Sequence, residues 1–157
     1  MVAVPFIRNN DPTYMIDDPK NIDVCFTPEA FGYSVQKGKS PVVVTDVFRA
    51  SATICSALSK GVKRIIPVLT EKEALEYQQR GLKVAGERGG EKLSFADFGN
   101  SPLEFPDPLN LEELVITTTN GTRAIHAVKE SPLVLVGSFC NIGAITEYIT
   151  DKCSGLI

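Results

Sequence analysis

The chain has 157 residues, of which 43% are hydrophobic and 22% are charged, and its formal net charge is -3. Length and composition predict one folded domain that buries its own core. The acidic balance, with no basic cluster, excludes nucleic acid as the main partner, and no segment approaches the roughly 20 apolar residues of a membrane span. We therefore expect a cytoplasmic enzyme or binding domain, and any phosphate that it binds should be small.

The cysteines and the single histidine do not predict a metal centre of their own. Cys25, Cys55, Cys140 and Cys153 form no C-x-x-C pair, and only His126 could join them. Neither a zinc site nor a disulfide framework is expected. Cys140 is interpreted as a small packed residue rather than a nucleophile, and His126 as a residue of a helix beyond the strand-end face.

The N-terminal region is predicted to be irregular. Residues 1–20 are polar and interrupted by prolines, which indicates an arm, and Ile22–Phe26 is predicted to be a short edge strand. That strand should end at Thr27-Pro28, because a residue before proline prefers extended geometry. Residues 21–157 are assigned to one α/β domain.

From residue 42 the sequence alternates short β-branched runs with helical spacing. Strands are predicted over 42–45, 64–68, 82–85, 114–117 and 133–136, with one more beginning at 154–157, and helices follow most of them. Gly61 and Gly81 are predicted helix stops, and Thr70 with Glu73 forms a capping-box sequence. Residues from Glu87 to about 110 are predicted to form a long loop.

This alternation predicts an α/β fold with a mostly parallel sheet covered on both faces. Ligands of such sheets bind beyond the carboxyl ends of the strands. Four predicted strand ends carry small or polar residues that let backbone N–H groups approach a ligand. These segments are Asp46–Ser51, Gly86–Gly90, Thr117–Thr122 and Gly137–Asn141.

Two arginines and two carboxylates within these segments suit a phosphate site. Arg49 and Arg88 could bind one anion through their guanidinium groups. Asp46 and Glu87 could supply oxygen ligands to a hard cation such as Mg2+ that also contacts the phosphate. In the alternative interpretation, Asp46 caps the following helix or pairs with Arg49, and the small residues merely make turns.

Five motifs in chain order resemble one known family. They are Val44–Ala50, Ala85–Gly90, Gly99–Glu104, Thr117–Ala124 and Val136–Phe139, and together they are similar to the 2-phosphosulfolactate phosphatase family, the ComB-like proteins. The resemblance spans residues 42 to about 141. Members of that family usually continue beyond the point where this chain ends, so the resemblance implies that residues 21–157 are an N-terminal fragment of a longer chain. Phe48 and Ser51 stand where leucine and threonine are more familiar in that family.

The resemblance implies a three-layer α/β/α fold and an Mg2+-dependent phosphatase. Such an enzyme would hydrolyse 2-phosphosulfolactate to sulfolactate and phosphate, which is a step of coenzyme M biosynthesis. By position, the residues that it implies for the site are Asp46, Arg49, Glu87, Arg88, Asn100, Ser101, Asn120, Thr122 and Ser138. The strand-end loops add Ser51, Thr119 and Gly121 as candidate substrate-binding residues.

Three functional hypotheses follow. The first is hydrolysis of a small phosphorylated hydroxy acid, with Asp46, Arg49, Glu87 and Arg88 as catalytic groups and Asp46 and Glu87 as metal ligands. The second is a non-catalytic domain that binds an anion or a nucleotide. The third keeps hydrolysis but changes the substrate. Assembly as a homo-oligomer is left open by the sequence.

Overall fold

The computed structural model describes residues 5–6, 23–33 and 40–152. Its strands are β1 (Pro5–Phe6), β2 (Val42–Val44), β3 (Arg64–Pro67), β4 (Lys83–Arg88), β5 (Glu91–Lys92), β6 (Glu113–Thr117) and β7 (Val134–Val136). Its helices are α1 (Pro28–Phe31), α2 (Ala50–Ser59), α3 (Glu71–Gln79), α4 (Gly121–Ala127) and α5 (Ile142–Lys152). None of the helices in the described ranges combines the length and the apolar character needed to cross a membrane.

The strands form two hydrogen-bonded sheets. The first has the order β1-β7-β2 and the second the order β3-β6-β4-β5. β2 is parallel to β7, and β6 is parallel to both β3 and β4. Within the described chain, antiparallel pairing is limited to the two-residue strands β1 and β5. The α/β fold with mostly parallel sheets is therefore confirmed.

Alternation along β6 shows how the four-stranded sheet is covered on both faces. Leu114 and Ile116 belong to a buried cluster that includes Ile125 of α4. Val115, between them, packs in a second cluster with Ala74 of α3. Because successive side chains of a strand point to opposite faces, α3 covers one face and α4 the other. This arrangement gives three layers.

The larger of these two clusters also joins the two sheets. Val44 of β2 and Val134 of β7 lie in the same cluster as Leu114 of β6 and Ile54 of α2. One apolar core therefore holds both sheets together, so the loops that follow β2, β4 and β6 meet at one edge of the molecule.

The predicted helix signals are confirmed. The Thr70 hydroxyl accepts a hydrogen bond from the Glu73 N–H at 3.1 Å, and the Glu73 carboxylate accepts one from the Thr70 N–H at 2.9 Å. Gly61 and Gly81 have φ angles of 105° and 91° just beyond α2 and α3. Left-handed backbone at this position is the usual end of a helix.

The N-terminal predictions need correction. Residues 23–26 do not form a strand, and the Thr27 hydroxyl instead accepts the Ala30 N–H at 3.2 Å as the N-cap of α1. Thr27 is extended, as a residue before proline should be, but Pro28 begins a helix. Within the predicted irregular arm, Pro5–Phe6 pairs with β7. Ile22 and the predicted strand start at 154–157 lie outside the described residues.

The predicted long loop after residue 86 begins as a hairpin. β4 continues to Arg88, and Gly89-Gly90 returns the chain into β5. These glycines have φ angles of 59° and 88°, and positive φ at both central residues is what a two-residue type I′ turn requires. Glu87 and Arg88 are therefore neighbours on one strand, and their side chains point to opposite faces.

Candidate functional site

A cavity of about 190 Å³ lies where the loops after β2, β4 and β6 meet. It is lined by Asp46, Phe48, Arg49, Glu87, Gly89, Gly90, Asn100, Thr119 and Asn120. The carboxyl ends of parallel strands are the usual ligand-binding edge of an α/β fold. The cavity brings together these residues predicted from the sequence: Asp46, Arg49, Glu87, Asn100, Thr119 and Asn120.

Asp46 lies two residues after β2, next to the turn that leads into α2. Its backbone N–H donates to the Ser51 hydroxyl at 2.8 Å, and the Ser51 N–H donates to the Asp46 carbonyl at 3.3 Å. Burial raises the pKa of the Asp46 carboxyl, a hydrogen bond from the Ala50 backbone opposes this, and the Glu87 charge raises the pKa further. Ser51 is buried and holds the turn. It does not line the cavity, although the sequence predicted it as a substrate-binding residue.

Gly121 lies against the Asp46 carboxylate. A β carbon at this position would come within 2.3 Å of the Ala50 β carbon and 3.0 Å of Asp46 Oδ2. Both distances are too short for a real side chain, so glycine is what lets α4 approach the start of α2. Gly121 thus shapes the site by having no side chain, and it is not a cavity-lining residue.

Glu87 is buried in the cavity wall, with 6% of its surface exposed. Its carboxylate accepts the Thr119 N–H at 2.7 Å, the Gly90 N–H at 2.8 Å and the Thr119 hydroxyl at 3.1 Å. Burial alone would raise the pKa of Glu87, but these hydrogen bonds and nearby Arg88 hold it below its ordinary value. Glu87 is therefore a buried negative charge.

Arg88 faces away from the cavity. Its guanidinium donates to the Thr117 hydroxyl at 2.8 Å and to the Leu69 carbonyl at 3.0 Å, and it lies 3.5 Å from the Glu71 carboxylate. These contacts connect β4 to β6 and α3. The prediction that both arginines contact one anion is therefore not met, because only Arg49 lines the cavity, where it is exposed.

Asn100 has a buried polar atom that the described protein leaves unpaired. Asn100 is 7% exposed, and its Oδ1 has no hydrogen-bond partner among the described residues. An unpaired buried acceptor costs roughly 1–3 kcal/mol, and Asn100 lines the cavity, so its Oδ1 is a candidate ligand contact.

The loop that carries Asn100 is held in place on both sides. The Gly99 N–H donates to the Glu104 carboxylate at 2.6 Å, and the Lys60 ammonium donates to the Phe105 carbonyl at 2.8 Å. Ser101 accepts the Leu103 N–H at 3.4 Å within this loop. Ser101 does not line the cavity.

Thr122 and Ser138 also lie outside the cavity. The buried Thr122 hydroxyl donates to the Thr118 carbonyl at 2.8 Å and supports the start of α4. Ser138 lines a separate apolar groove of about 140 Å³ between β2 and α5. Its hydroxyl contacts Cys140 Sγ at 2.7 Å. His126, on α4, contacts the Pro67 carbonyl at the end of β3 and does not line the cavity.

The cavity is also lined by Phe48, Gly89 and Gly90. These residues lie within the predicted strand-end segments but were not predicted as individual site residues. For the glycines a signal existed, because Gly-Gly between two short polar segments is a hairpin turn sequence. Phe48 is 90% exposed at the cavity mouth. No sequence pattern distinguishes it from a core aromatic residue.

The oxygen atoms around the cavity suit a hard divalent cation. No group of three or more His, Cys, Asp or Glu side chains within the described ranges is placed to hold a metal. Asp46 and Glu87 nevertheless bring two carboxylates to the cavity, and Asn100 adds the unpaired amide oxygen. Mg2+ commonly takes one or two carboxylates and keeps several waters, so this donor set fits Mg2+.

The family model described as 2-phosphosulpholactate phosphatase matches residues 25–157. A relative from Thermotoga maritima, named "Probable 2-phosphosulfolactate phosphatase", is 42% identical over 111 residues, which are 70% of this chain and 48% of the relative. A relative of the same name from Clostridium acetobutylicum is 39% identical over 135 residues, 83% of this chain and 57% of the relative. The chain thus spans about half the length of the curated relatives that it matches.

Proposed function

The chain belongs to the 2-phosphosulfolactate phosphatase family, and on that basis we propose that its cavity is the phosphate site of an Mg2+-dependent phosphatase. The proposed reaction hydrolyses 2-phosphosulfolactate, or a related small 2-hydroxy acid phosphate, to the hydroxy acid and phosphate. Cytoplasmic location, a role in coenzyme M biosynthesis and homo-oligomeric assembly stay predictions.

The observation that carries this proposal is the pairing of Asp46 with Glu87 across the cavity. Glu87 is held ionised by its hydrogen bonds, and its charge contributes to the raised pKa of Asp46. An anionic phosphate would be repelled by these carboxylates unless a cation lay between them. We therefore assign Mg2+ to Asp46, Glu87 and the amide oxygen of Asn100. When bound, Mg2+ would neutralise charge on the phosphoryl oxygens.

Three backbone N–H groups of the cavity wall are already hydrogen-bonded within the protein. The N–H groups of Thr119, Gly89 and Gly90 already donate to Glu87 or to the Thr119 hydroxyl. Arg49 and Asn120 are exposed on the cavity wall, and no hydrogen bond within the described protein occupies their side chains. We propose that Arg49 stabilises charge on the transferred phosphoryl group and that Asn120 orients the substrate.

The proposal is tested by phosphate release from 2-phosphosulfolactate, measured with Mg2+ and with EDTA. Release should require Mg2+, fall at least 100-fold in Asp46→Asn, and be unchanged in Glu76→Gln, which removes an exposed carboxylate from α3. Release that is equal in EDTA would contradict the assignment of Mg2+.

A second candidate function uses the same cavity as a binding site for an anion, without catalysis. Inorganic phosphate with Mg2+ would then raise the unfolding temperature of the chain, while no phosphate is released from any 2-hydroxy acid phosphate. Calorimetric titration with Mg2+ alone checks the metal site independently of turnover.

A further inference from the structure

Two thiols meet at one hydroxyl between α2 and the loop after β7. Ser138 Oγ lies 2.7 Å from Cys140 Sγ and 3.6 Å from Cys55 Sγ. Both cysteines are free thiols. They lie outside the cavity of Asp46 and Glu87, so the proposed phosphatase activity does not use them.

We propose that Cys55 and Cys140 are a redox modification site that closes to an intramolecular disulfide when the chain meets a low-molecular-weight disulfide such as oxidised glutathione. The two residues are distant in sequence and form no recognisable motif. The fold brings them together, because α2 lies against the loop that follows β7.

The different exposure of the two thiols determines which of them reacts first. Cys140 is exposed and is the point of entry, whereas Cys55 is partly covered on α2. The Cys140 thiol loses its proton and attacks one sulfur of oxidised glutathione, which forms a mixed disulfide and releases one glutathione. Cys55 then attacks Cys140 Sγ and displaces the second glutathione. In total, two protein thiols are oxidised, one glutathione disulfide is reduced, and both protons end on glutathione.

The environment of Cys55 controls the second step. Burial raises the pKa of the Cys55 thiol to about 11, although the hydrogen bond to Ser138 acts in the other direction. Because the thiolate is the nucleophile, closure should be slow at neutral pH and faster as the pH rises. Because the Ser138 hydroxyl contacts both sulfur atoms, Cys55 lies close to the position of the mixed disulfide.

The test is to treat the folded chain with oxidised glutathione, alkylate the remaining thiols and map the peptides by mass spectrometry. We expect a linked Cys55–Cys140 peptide that dithiothreitol releases, with Cys25 alkylated. Cys55→Ser should stop at a glutathione adduct on Cys140, and Cys25→Ser should behave as the wild type. A glutathione adduct that persists on wild-type Cys140 at high pH would overturn the proposal. So would a Cys140–Cys153 link, or a Cys140 that stays unmodified.

Discussion

Thr119 holds the Glu87 carboxylate with two hydrogen bonds, from its N–H to Oε1 at 2.7 Å and from its hydroxyl to Oε2 at 3.1 Å. The same hydroxyl accepts the Gly89 N–H at 3.2 Å. Glu87 therefore joins the loop after β6 to the hairpin formed by β4 and β5. The Glu87 carboxylate, which we propose as a metal ligand, therefore also organises the wall of the cavity.

Replacement of the Thr119 hydroxyl should loosen this wall. Thr119→Val keeps the shape of the side chain but removes a donor to Glu87 and an acceptor for Gly89. We expect the free energy of unfolding to fall by about 1–2 kcal/mol in urea denaturation. Thr119→Ser keeps the hydroxyl and is the matched control. Equal stability of the valine and serine variants would show that these hydrogen bonds contribute little.

Glu87→Gln should destabilise the protein in a pH-dependent way. The folded-state pKa of Glu87 lies below its ordinary value of 4.5, so the carboxylate stabilises the fold above about pH 4.5 and loses this effect as the pH falls through the folded-state pKa. The urea midpoint of the variant should lie below that of the wild type at pH 7, and the difference should shrink at about pH 3. Glu76→Gln is the control for a lost exposed carboxylate. A difference that stays constant with pH would contradict the assigned charge.

Asp46→Asn should have the opposite effect on stability. The folded-state pKa of Asp46 is raised from 3.8, so its contribution is present below that value and is lost as the pH rises through the folded-state pKa. The variant should therefore unfold at a urea concentration at least as high as the wild type at pH 7, with a smaller advantage in acid. The same variant should bind Mg2+ more weakly by calorimetry. Lower stability at pH 7 together with unchanged Mg2+ binding would argue that Asp46 only caps α2.

Gly121→Ala should strain the contact between α4 and α2. The added methyl group would meet Ala50 and the Asp46 carboxylate, and overpacking of this kind typically costs about 1–3 kcal/mol. Gly143→Ala is the matched control, because no atom lies within 4 Å of a β carbon at that position in α5. Urea denaturation should show a loss for the first variant and a small gain for the second. Equal effects would mean that α4 shifts without cost.

Lys60→Met should release the loop that carries Asn100. The Lys60 ammonium donates to the carbonyls of Phe105 at 2.8 Å and Pro102 at 3.4 Å, and methionine keeps the apolar stem without these bonds. Amide hydrogen exchange over residues 99–105 should become faster. Lys63→Met, at an exposed position next to β3, is the control. Unchanged exchange in the Lys60 variant would show that the contacts with Glu104 and Ser56 are enough to hold the loop.

The sequence predicted the meeting of Asp46 and Glu87 because each lies at or just after the carboxyl end of a strand in a mostly parallel α/β fold. It also predicted the Thr70–Glu73 capping box, which depends on contacts within one helical turn. The predicted strand that ends at Thr27-Pro28 was wrong, because the same extended residue can end a strand or cap a helix. That choice depends on whether a neighbouring strand is available, and the local residues do not carry this information.

The sequence by itself therefore determined the strand-helix alternation, the edge where the cavity lies, and the presence of carboxylates and an arginine there. Only the tertiary structure decided which side chains face the cavity. The strand β4 runs three residues past its predicted end at Ala85, so Glu87 and Arg88 point to opposite faces of the sheet. The approach of α4 to α2 requires Gly121 to have no side chain. Strand length and helix approach arise from long-range packing, which a local sequence pattern cannot specify.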